Sequence, residues 1–354
     1  MAATIRDVAR KAGVSHTTVS NVINNVPKVS QETRQRVLEA MKELNYEPSI
    51  AARSLGGRRS YLVGYMVPAI TNEFFMNVAR GAERVLYRED TSLFLCDTGL
   101  AASRETDYLR RLVRHRVDGI IVNYVADKKT IHNAIRAGIP VVAVESPVGE
   151  PKISLVEVDN AGAAMLAVEH LVSLGHHEIA VMAIDFESDV NRERLRGFQN
   201  AQKVYDLRQR PELLMPLAPL LRENGYFDQT STSIAASPVA AHREFAQIVD
   251  GLLKLPEPPT ALFCFDYQTA VLAVRALVQL GLTPGKQVSV VGFDAPNSIC
   301  VPRITSVIQP AGEMGALAAE LLLERIADQR AKPRSVRLSA QLVHGDTSGP
   351  PTQP

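Results

Sequence analysis

Short apolar runs alternate with longer amphipathic runs along most of the chain after residue 60. Continuous apolar strands separated by segments of helical period are typical of parallel sheets covered by helices on both faces. The first series predicts strands at residues 61–67, 92–96, 119–123 and 140–144, and helices at 74–88, 104–115 and 130–137.

The same pattern then starts again. The second series predicts strands at residues 154–158, 178–182, 260–265 and 287–292, and helices at 161–174, 192–204 and 267–281. Two doubly wound units predict an α/β core of two lobes, with a ligand site in the crevice at the carboxyl ends of the strands. Residues 305–308 and a helix at 313–328 are expected to lead back to the first lobe, and a last strand near 336–343 to complete the second.

These elements set the expected domain boundaries. The core is expected to span residues 61–354, with a first lobe of about 61–159 plus 309–332 and a second of about 160–308 plus 333–346. Residues 203–236 contain three prolines and a Gln-Thr-Ser-Thr-Ser run, and they fit no element of the pattern. Tyr226, Phe227 and Asp228 within them are candidates to reach the crevice.

The first 47 residues have a different, purely helical pattern. Thr4 is expected to cap a first helix with Asp7 three positions on, and Gly13 to turn the chain. Ser15 is expected to start a second helix with an apolar stripe, and Ser30 a third. The predicted buried positions of the three helices are Ile5, Val8, Ala9, Ala12, Val19, Val22, Ile23, Val37, Leu38, Met41 and Leu44.

The second of these helices has an unusual polar face, formed by Ser15, His16, Thr17, Thr18, Asn21, Asn24 and Asn25. Serine, threonine and asparagine are weak helix formers, so a plain solvated helix gains little from them. In the major groove of DNA, the same groups meet base edges and phosphates. The pattern therefore predicts a DNA-binding helix-turn-helix domain at residues 1–47.

The distribution of charge favours the same interpretation. The chain carries a formal charge of +1, but residues 1–60 contain ten Lys/Arg against five Asp/Glu, while the rest contains 29 against 33. A basic head on a slightly acidic body is attracted locally to phosphate.

Several other classes of protein find little support in the sequence. The three cysteines have no metal-ligand spacing, and Cys96 and Cys264 lie in apolar runs typical of buried thiols. His176 and His177 lack further ligands nearby, so neither a metal nor a cofactor is expected. No glycine-rich phosphate loop follows a strand and no nucleophile elbow occurs, so an enzyme is not expected. The sequence shows no signal peptide or membrane-spanning run, so a cytoplasmic location is expected.

Five segments of the first 55 residues resemble the DNA-binding headpiece of the LacI/GalR family of bacterial repressors. They are Thr-Ile-Arg-Asp-Val-Ala, Ala-Gly-Val-Ser, Thr-Val-Ser-Asn-Val-Ile-Asn, Leu-Asn-Tyr-Glu-Pro-Ser and Ala-Arg-Ser-Leu. Val-Asp-Gly-Ile-Ile-Val-Asn123, Arg-Leu-Arg-Gly-Phe198 and Val-Ser-Val-Val-Gly-Phe-Asp294 extend the resemblance into the core. The resemblance implies a hinge helix and linker at 48–60 and a core similar to periplasmic sugar-binding proteins.

The resemblance also implies roles on DNA. Base edges would be met by His16, Thr17 and Asn21, and Leu55 would wedge into the minor groove beside Ala52 when two hinges pack together. The positions that would contact the DNA backbone are Thr4, Ser15, Thr18, Ser20, Asn24, Ser30, Thr33, Tyr46 and Ala52. A paired hinge implies at least a homodimer on a pseudo-palindromic double-stranded operator, and leaves a tetramer open.

In the core, the resemblance implies an effector site. The positions that match it are Asn72, Phe75, Asn123, Glu145, Arg194, Asp266 and Asp294. Arg194 would clamp ligand oxygens opposite Asp294, and Phe75 would stack on a sugar face. Asp266 departs from the family pattern, which commonly has an amide there, and an extra carboxylate disfavours an anionic ligand.

The sequence therefore predicts a transcriptional regulator, a repressor, whose operator affinity depends on a small ligand. A sugar is the expected effector and a nucleobase or nucleoside the alternative. A sugar-binding protein that does not bind DNA is a further alternative from a different class.

Overall fold

The computed structural model describes residues 3–23, 26–46, 59–125, 128–147, 149, 151–218, 238–295 and 301–352. The chain forms two compact units. The first comprises Met1–Leu62 and Arg116–Asp118, and the second comprises Val63–His115 and Gly119–Pro354.

Three helices build the headpiece in the first unit: α1 Ile5–Ala12, α2 His16–Ile23 and α3 Gln31–Glu43. Thr4 and Asp7 form the predicted capping box at the start of α1. Gly13 ends that helix at φ 65°, a left-handed conformation that glycine adopts without steric cost. Ser30 caps α3 by accepting a hydrogen bond from the backbone of Thr33.

The headpiece core is small and built mainly from valine and alanine. Val8, Val19 and Val37, one from each helix, are fully buried in it. Leu38 was expected in this core, but its side chain is 52% exposed, so that expectation was wrong. Val37 already fills the buried position of that turn, and the next residue points about 100° away around the helix.

The first unit also contains the point where the chain enters the core. The carboxylate of Asp118 accepts hydrogen bonds from the backbone N–H groups of Ser60 (2.6 Å) and Tyr61 (2.8 Å) and from the Ser60 hydroxyl (3.0 Å). The chain that leads into the first strand is therefore tied to the residue just before the third strand.

The second unit contains two six-stranded sheets. The first sheet consists of β1 Leu62–Val67, β2 Ser92–Asp97, β3 Gly119–Val122, β4 Val141–Val144, β5 Ser154–Val158 and β11 Ser335–Leu338, in the order β11-β5-β4-β3-β1-β2. Its helices are α4 Glu73–Arg88, α5 Ala102–Arg114, α6 Lys128–Arg136 and α11 Ala311–Ala327. Four neighbouring pairs of this sheet are parallel: β11 with β5, β5 with β4, β4 with β3, and β3 with β1.

The second sheet repeats this arrangement. Its strands are β6 Ile179–Ala183, β7 Leu214–Pro216, β8 Ala261–Cys264, β9 Ser289–Phe293, β10 Thr305–Ile308 and β12 Gln341–Val343, in the order β12-β10-β9-β8-β6-β7. The helices described in this lobe are α7 Asn160–Ser173, α8 Asp189–Val204, α9 Pro238–Leu253 and α10 Tyr267–Gln279. A short 3₁₀ turn, Pro211–Leu213, precedes β7. Only β12 runs antiparallel to its neighbour, among the strand pairs described for this sheet.

Two details of the predicted topology were wrong. The expected last strand at 336–343 is two strands, and β11 pairs with β5 of the first sheet whereas β12 pairs with β10 of the second. Residues 305–308 form β10 inside the second sheet, so only the following helix returns to the first lobe. The apolar pattern marks where strands lie, but it does not identify the sheet in which each strand finds its partner.

Helices α4 and α11 approach each other closely on one face of the first sheet. A β-carbon added at Gly81 would overlap the carbonyl oxygen of Gly312, and one added at Gly315 would overlap that of Val78. Contact at this distance requires glycine in both helices. Across the described ranges, no helix is long and apolar enough to span a membrane.

The last described residues pack onto the second lobe through a buried histidine. His176 is 1% exposed, with Nδ1 2.8 Å from the Thr260 hydroxyl and Nε2 2.8 Å from the carbonyl oxygen of Gly349. Ser348 also lies 2.9 Å from His170 Nε2 and 2.7 Å from the Thr305 hydroxyl. Cys96 and Cys264 are buried free thiols.

Candidate functional site

The polar side of α2 lies on the surface of the headpiece. His16 and Thr17 are exposed and Asn21 is half-exposed, while Val19 and Val22 on the opposite side are buried. Thr17 and Asn21 are four residues apart and therefore neighbours on one helix face. The three side chains predicted to meet base edges thus share an accessible edge of one short helix.

The predicted backbone-contacting hydroxyls lie at helix starts. Ser15 accepts a hydrogen bond from the Thr18 backbone (3.0 Å), and the two hydroxyls lie 2.8 Å apart. Ser30 donates to the Thr33 hydroxyl (2.9 Å) at the start of α3. Helix N-termini present free backbone N–H groups and a positive dipole end, which together favour phosphate.

The other predicted DNA-contacting residues have different surroundings. Thr4 is tied to Asp7 in its capping box, Ser20 is half-exposed on α2, and Tyr46 packs against the headpiece core. Burial raises the pKa of the Tyr46 hydroxyl. Asn24, Ala52 and Leu55 lie outside the described residues, as do Tyr226, Phe227 and Asp228.

Arg194 occupies the centre of the second candidate site, in the core. Its side chain is 6% exposed, and its guanidinium carbon lies 3.8 Å from the centre of the Phe293 ring. Nε donates to Oδ1 of Asn160 (2.9 Å), and Nη1 donates to the carbonyl oxygen of Phe265 at the end of β8. Nη2 has no hydrogen-bond partner among the described residues.

Glu145, directly after β4 in the first sheet, reaches the same point. Its Oε1 accepts a hydrogen bond from the Val158 backbone (2.5 Å), and its Oε2 accepts one from Nδ2 of Asn160 (2.7 Å). Glu145, Asn160 and Arg194 therefore form one hydrogen-bonded chain from the carboxyl end of β4 to that of β8, and the guanidinium also contacts an aromatic ring at the end of β9. This chain brings the carboxyl ends of the two sheets together.

The two predicted aspartates lie beside this chain. Asp294 accepts hydrogen bonds from the Gln309 backbone (2.9 Å) and side-chain amide (2.5 Å), and it adopts φ 50°. Asp266 caps α10, because it accepts from the backbone (2.8 Å) and hydroxyl (2.7 Å) of Thr269. Both aspartates thus have structural partners while their charges still act on Arg194.

One guanidinium therefore faces three carboxylates. Burial is the largest influence on each of them, and it raises the pKa of Glu145, Asp266 and Asp294, although Arg194 pulls each pKa down. Burial lowers the pKa of Arg194, and the three acids oppose that shift. An anionic ligand would add a further negative charge to this cluster, so the site favours a neutral or cationic one.

The remaining predicted residues form a separate group on the first lobe. Asn123 is 2% exposed at the end of β3, and its Oδ1 accepts a hydrogen bond from the hydroxyl of Tyr65. That hydroxyl also lies 3.3 Å from the carbonyl oxygen of Phe75, and Nδ2 of Asn123 has no partner within the part of the chain described. Asn72 caps α4 through the Phe74 backbone (2.9 Å).

Sequence reasoning missed four residues of the core site: Asn160, Tyr65, Phe293 and Gln309. Asn160 carried one usable signal, since it begins a mostly apolar helix next to a capping aspartate, and a polar side chain that is buried there needs a hydrogen-bond partner. The other three residues belong to strands or to a crossing between lobes, where the pattern indicates only burial.

Comparisons with known proteins match both parts of the chain. Residues 4–49 match the model of bacterial regulatory proteins, lacI family. Residues 60–215 match periplasmic binding proteins and the sugar binding domain of the LacI family, and residues 168–348 match a periplasmic binding protein-like domain.

Individual relatives span the whole chain. The HTH-type transcriptional repressor PurR of Vibrio vulnificus (strain CMCP6) is 34% identical over 350 residues, which cover 98% of each protein. A lac repressor dimer bound to operator and the anti-inducer ONPF has 26% identity and a TM-score of 0.78, with 99% of this chain and 100% of that chain covered. A complex of the transcriptional regulator CelR with cellobiose has 27% identity and a TM-score of 0.67, with 98% and 99% covered. With its helix-turn-helix headpiece and two-lobed core, the protein belongs to the lacI family of bacterial regulatory proteins, which act on transcription by binding DNA.

Proposed function

We propose that the protein is a repressor that binds a pseudo-palindromic operator as a homodimer and changes its operator affinity when a small neutral molecule enters the core site. The observation that carries this proposal is the edge of α2, where His16, Thr17 and Asn21 are accessible above a packed apolar core. A rigid helix with accessible amide, hydroxyl and imidazole groups is suited to read base edges.

On DNA, the roles follow from side-chain chemistry. The amide of Asn21 can make paired hydrogen bonds with adenine, and Thr17 offers a hydroxyl and a methyl group for thymine. The hydroxyls at the starts of α2 and α3 lie where backbone N–H groups attract phosphate, so they would set the register of the headpiece. The proposal that Leu55 and Ala52 form a minor-groove wedge rests on the sequence resemblance.

In the core, a carbohydrate is the effector that the site supports best. Arg194 keeps one donor nitrogen available, and the carboxylates around it can accept hydrogen bonds from hydroxyl groups. The excess of carboxylates disfavours phosphates and other anions. The solved relative with bound cellobiose supports this class of ligand.

A nucleobase is the second candidate, favoured by the aromatic side chains of the site. Phe75 lies partly buried near the buried amide of Asn123, and Phe186 packs edge-on against Phe265 with 5.9 Å between ring centres. Flat apolar rings stack well on aromatic faces, and an amide can pair with a base edge.

The homodimer is supported by an apolar patch on the first lobe. Phe94 (54% exposed) and Leu95 (41%) lie on β2 at the edge of the sheet, and Tyr87 (77%) lies at the end of α4. Exposed apolar clusters at a sheet edge mark interaction surfaces.

Phe94→Glu should shift the sedimentation coefficient from dimer to monomer, whereas Val204→Glu, at a 62% exposed valine of α8, should not. A Phe94→Glu protein that remains dimeric would remove this patch from the interface.

The decisive experiment is selection of bound DNA from random duplexes, followed by mobility shifts on the selected fragment with sugars and nucleobases added. We expect a two-fold symmetric consensus, and at least one compound that changes operator affinity and raises the thermal midpoint. Binding without sequence preference at moderate salt would refute the repressor and leave a sugar-binding protein that does not act on DNA. A symmetric consensus combined with no response to any compound would refute only the proposed effector.

A further inference from the structure

Asn160 lies at a point where the chain passes between the two lobes. Strand β5 belongs to the first sheet and ends at Val158, and α7 of the second lobe begins at Asn160. Glu145 holds this crossing by two hydrogen bonds, one to the Val158 backbone and one to the Asn160 side chain. The crossing is therefore bound to the carboxyl end of β4.

The Asn160 side chain is 7% exposed and has a partner on each side. Its Nδ2 donates to the carboxylate of Glu145 at 2.7 Å, and its Oδ1 accepts from Nε of Arg194 at 2.9 Å. A primary amide combines a donor and an acceptor on one carbon, so it fits between an anion and a cation. An aspartate would place two carboxylates side by side, and an alanine would take one hydrogen-bond partner away from each neighbour.

A second crossing is connected to the same guanidinium by electrostatic interaction alone. Asp294 holds Gln309, in the segment between β10 of the second sheet and α11 of the first lobe. Glu145 and Asp294 both adopt left-handed backbone conformations, at φ 52° and 50°. Arg194 interacts electrostatically with both acids, so the two carboxylates that hold crossings both act on the guanidinium that would meet the effector.

We propose that Asn160 is a positioning residue, which orients the Arg194 guanidinium and connects it through Glu145 to the crossing between the lobes. The inference rests on the proposed effector site. It adds a route by which a ligand contact at Arg194 reaches a segment that connects the two lobes. A ligand oxygen that accepts a hydrogen bond from Nη2 would bind the same guanidinium whose Nε donates to Asn160.

The hydrogen-bond polarity of the chain allows a test by exchange of charge. Asn160→Asp places two carboxylates next to each other, and Glu145→Gln alone places two amides next to each other. When the two substitutions are combined, the new amide at position 145 would donate to the new carboxylate at position 160. That carboxylate would accept from Arg194, so both links of the chain are made again, with the direction of the hydrogen bond between positions 145 and 160 reversed. The exposed pair of Asn133 and Arg136 (2.8 Å) provides a matched control, Asn133→Asp.

The measurements are the thermal midpoint of the full-length protein and the hydrogen exchange of the Arg194 Nε–H, followed by NMR on ¹⁵N-arginine-labelled, deuterated protein. We expect Asn160→Asp to lower the midpoint by about 5 °C or more, the double variant to recover more than half of that loss, and Asn133→Asp to be neutral. Asn160→Ala should speed Nε–H exchange at least about tenfold. A purely space-filling asparagine would leave that exchange unchanged.

The inference is overturned if the double variant recovers half of the loss or less, or if Asn160→Ala leaves the Arg194 Nε–H as protected as in the native protein. Both readouts use protein without DNA or added compound. Failure of the proposed effector, seen as no response in the mobility shifts, is therefore distinguishable from failure of the role of Asn160.

Discussion

At the scale of single residues, the headpiece separates groups that hold its fold from groups that remain available. Val19 and Val22 are buried, Ser15 and Thr18 satisfy each other at the start of α2, and the amide of Asn21 stays accessible. Arg34 is a structural residue that the pattern did not reveal. It donates to the carbonyl oxygen of Val26 (3.2 Å) and thereby ties α3 to the segment after α2.

Asn21→Ala should reduce operator affinity by about 1–3 kcal/mol and relax sequence preference at one base pair of each half-site, because a paired amide contact with a base is lost. The check is a binding titration on the selected operator and on single-base variants. Gln35→Ala, at an exposed position of α3, is the control and should change little. A uniform loss across all sequences would instead make Asn21 a backbone contact.

Arg194→Ala should abolish the response to the effector while operator affinity without effector changes little. The substitution removes the ligand-facing donor and also leaves three carboxylates without their cation, so the core should lose roughly 3 kcal/mol of stability. Arg196→Ala, two residues along α8, removes only an exposed pair with Glu193 and is the control. A native change of operator affinity at native effector concentrations in the Arg194→Ala protein would exclude Arg194 from the site.

At the scale of elements, the caps and the apolar periodicity are local, and most predicted helices and strands occur within a few residues of their expected ends. Packing between elements is not local. Gly81 and Gly315 let α4 and α11 touch backbone to backbone, and their partners lie far along the chain.

Gly315→Ala should therefore destabilise the core by about 1–3 kcal/mol, because the added methyl group overlaps the carbonyl oxygen of Val78 and the helices must separate. Gly251→Ala is the matched control, since nothing lies near a β-carbon added at this exposed position of α9. There the gain in helix propensity should stabilise by up to about 1 kcal/mol. Midpoints of urea unfolding compare the two variants, and equal midpoints would contradict the close helix contact.

At the scale of the whole molecule, the lobes of the core are joined by crossings, and the end of the described chain is fastened to the second lobe. Burial lowers the pKa of His176 from its ordinary value of 6.5. The folded protein therefore favours the neutral imidazole, whose contribution to stability is full above pH 6.5. That contribution falls as the pH drops through 6.5 toward the lower folded pKa.

His176→Gln should consequently lose less stability than the native protein between pH 7.5 and pH 5.5. His115→Gln, at an exposed histidine of the first lobe, is the control for loss of a histidine. Thermal midpoints at several pH values measure the difference. If the thermal midpoints of His176→Gln and the native protein fall equally as the pH drops, another group causes the loss of stability at low pH.

The sequence alone determined the alternation of elements, the two-lobed fold and the DNA-binding headpiece, because caps, periodicity and the polar face of α2 depend on residues a few positions apart. The tertiary structure decided which side chains converge. Asn160 and Arg194 are 34 residues apart, and Arg194 and the Phe265 carbonyl are 71 apart. It also divided the last strand between two sheets, since partners for backbone hydrogen bonds are chosen across the fold and leave no mark on a short apolar run.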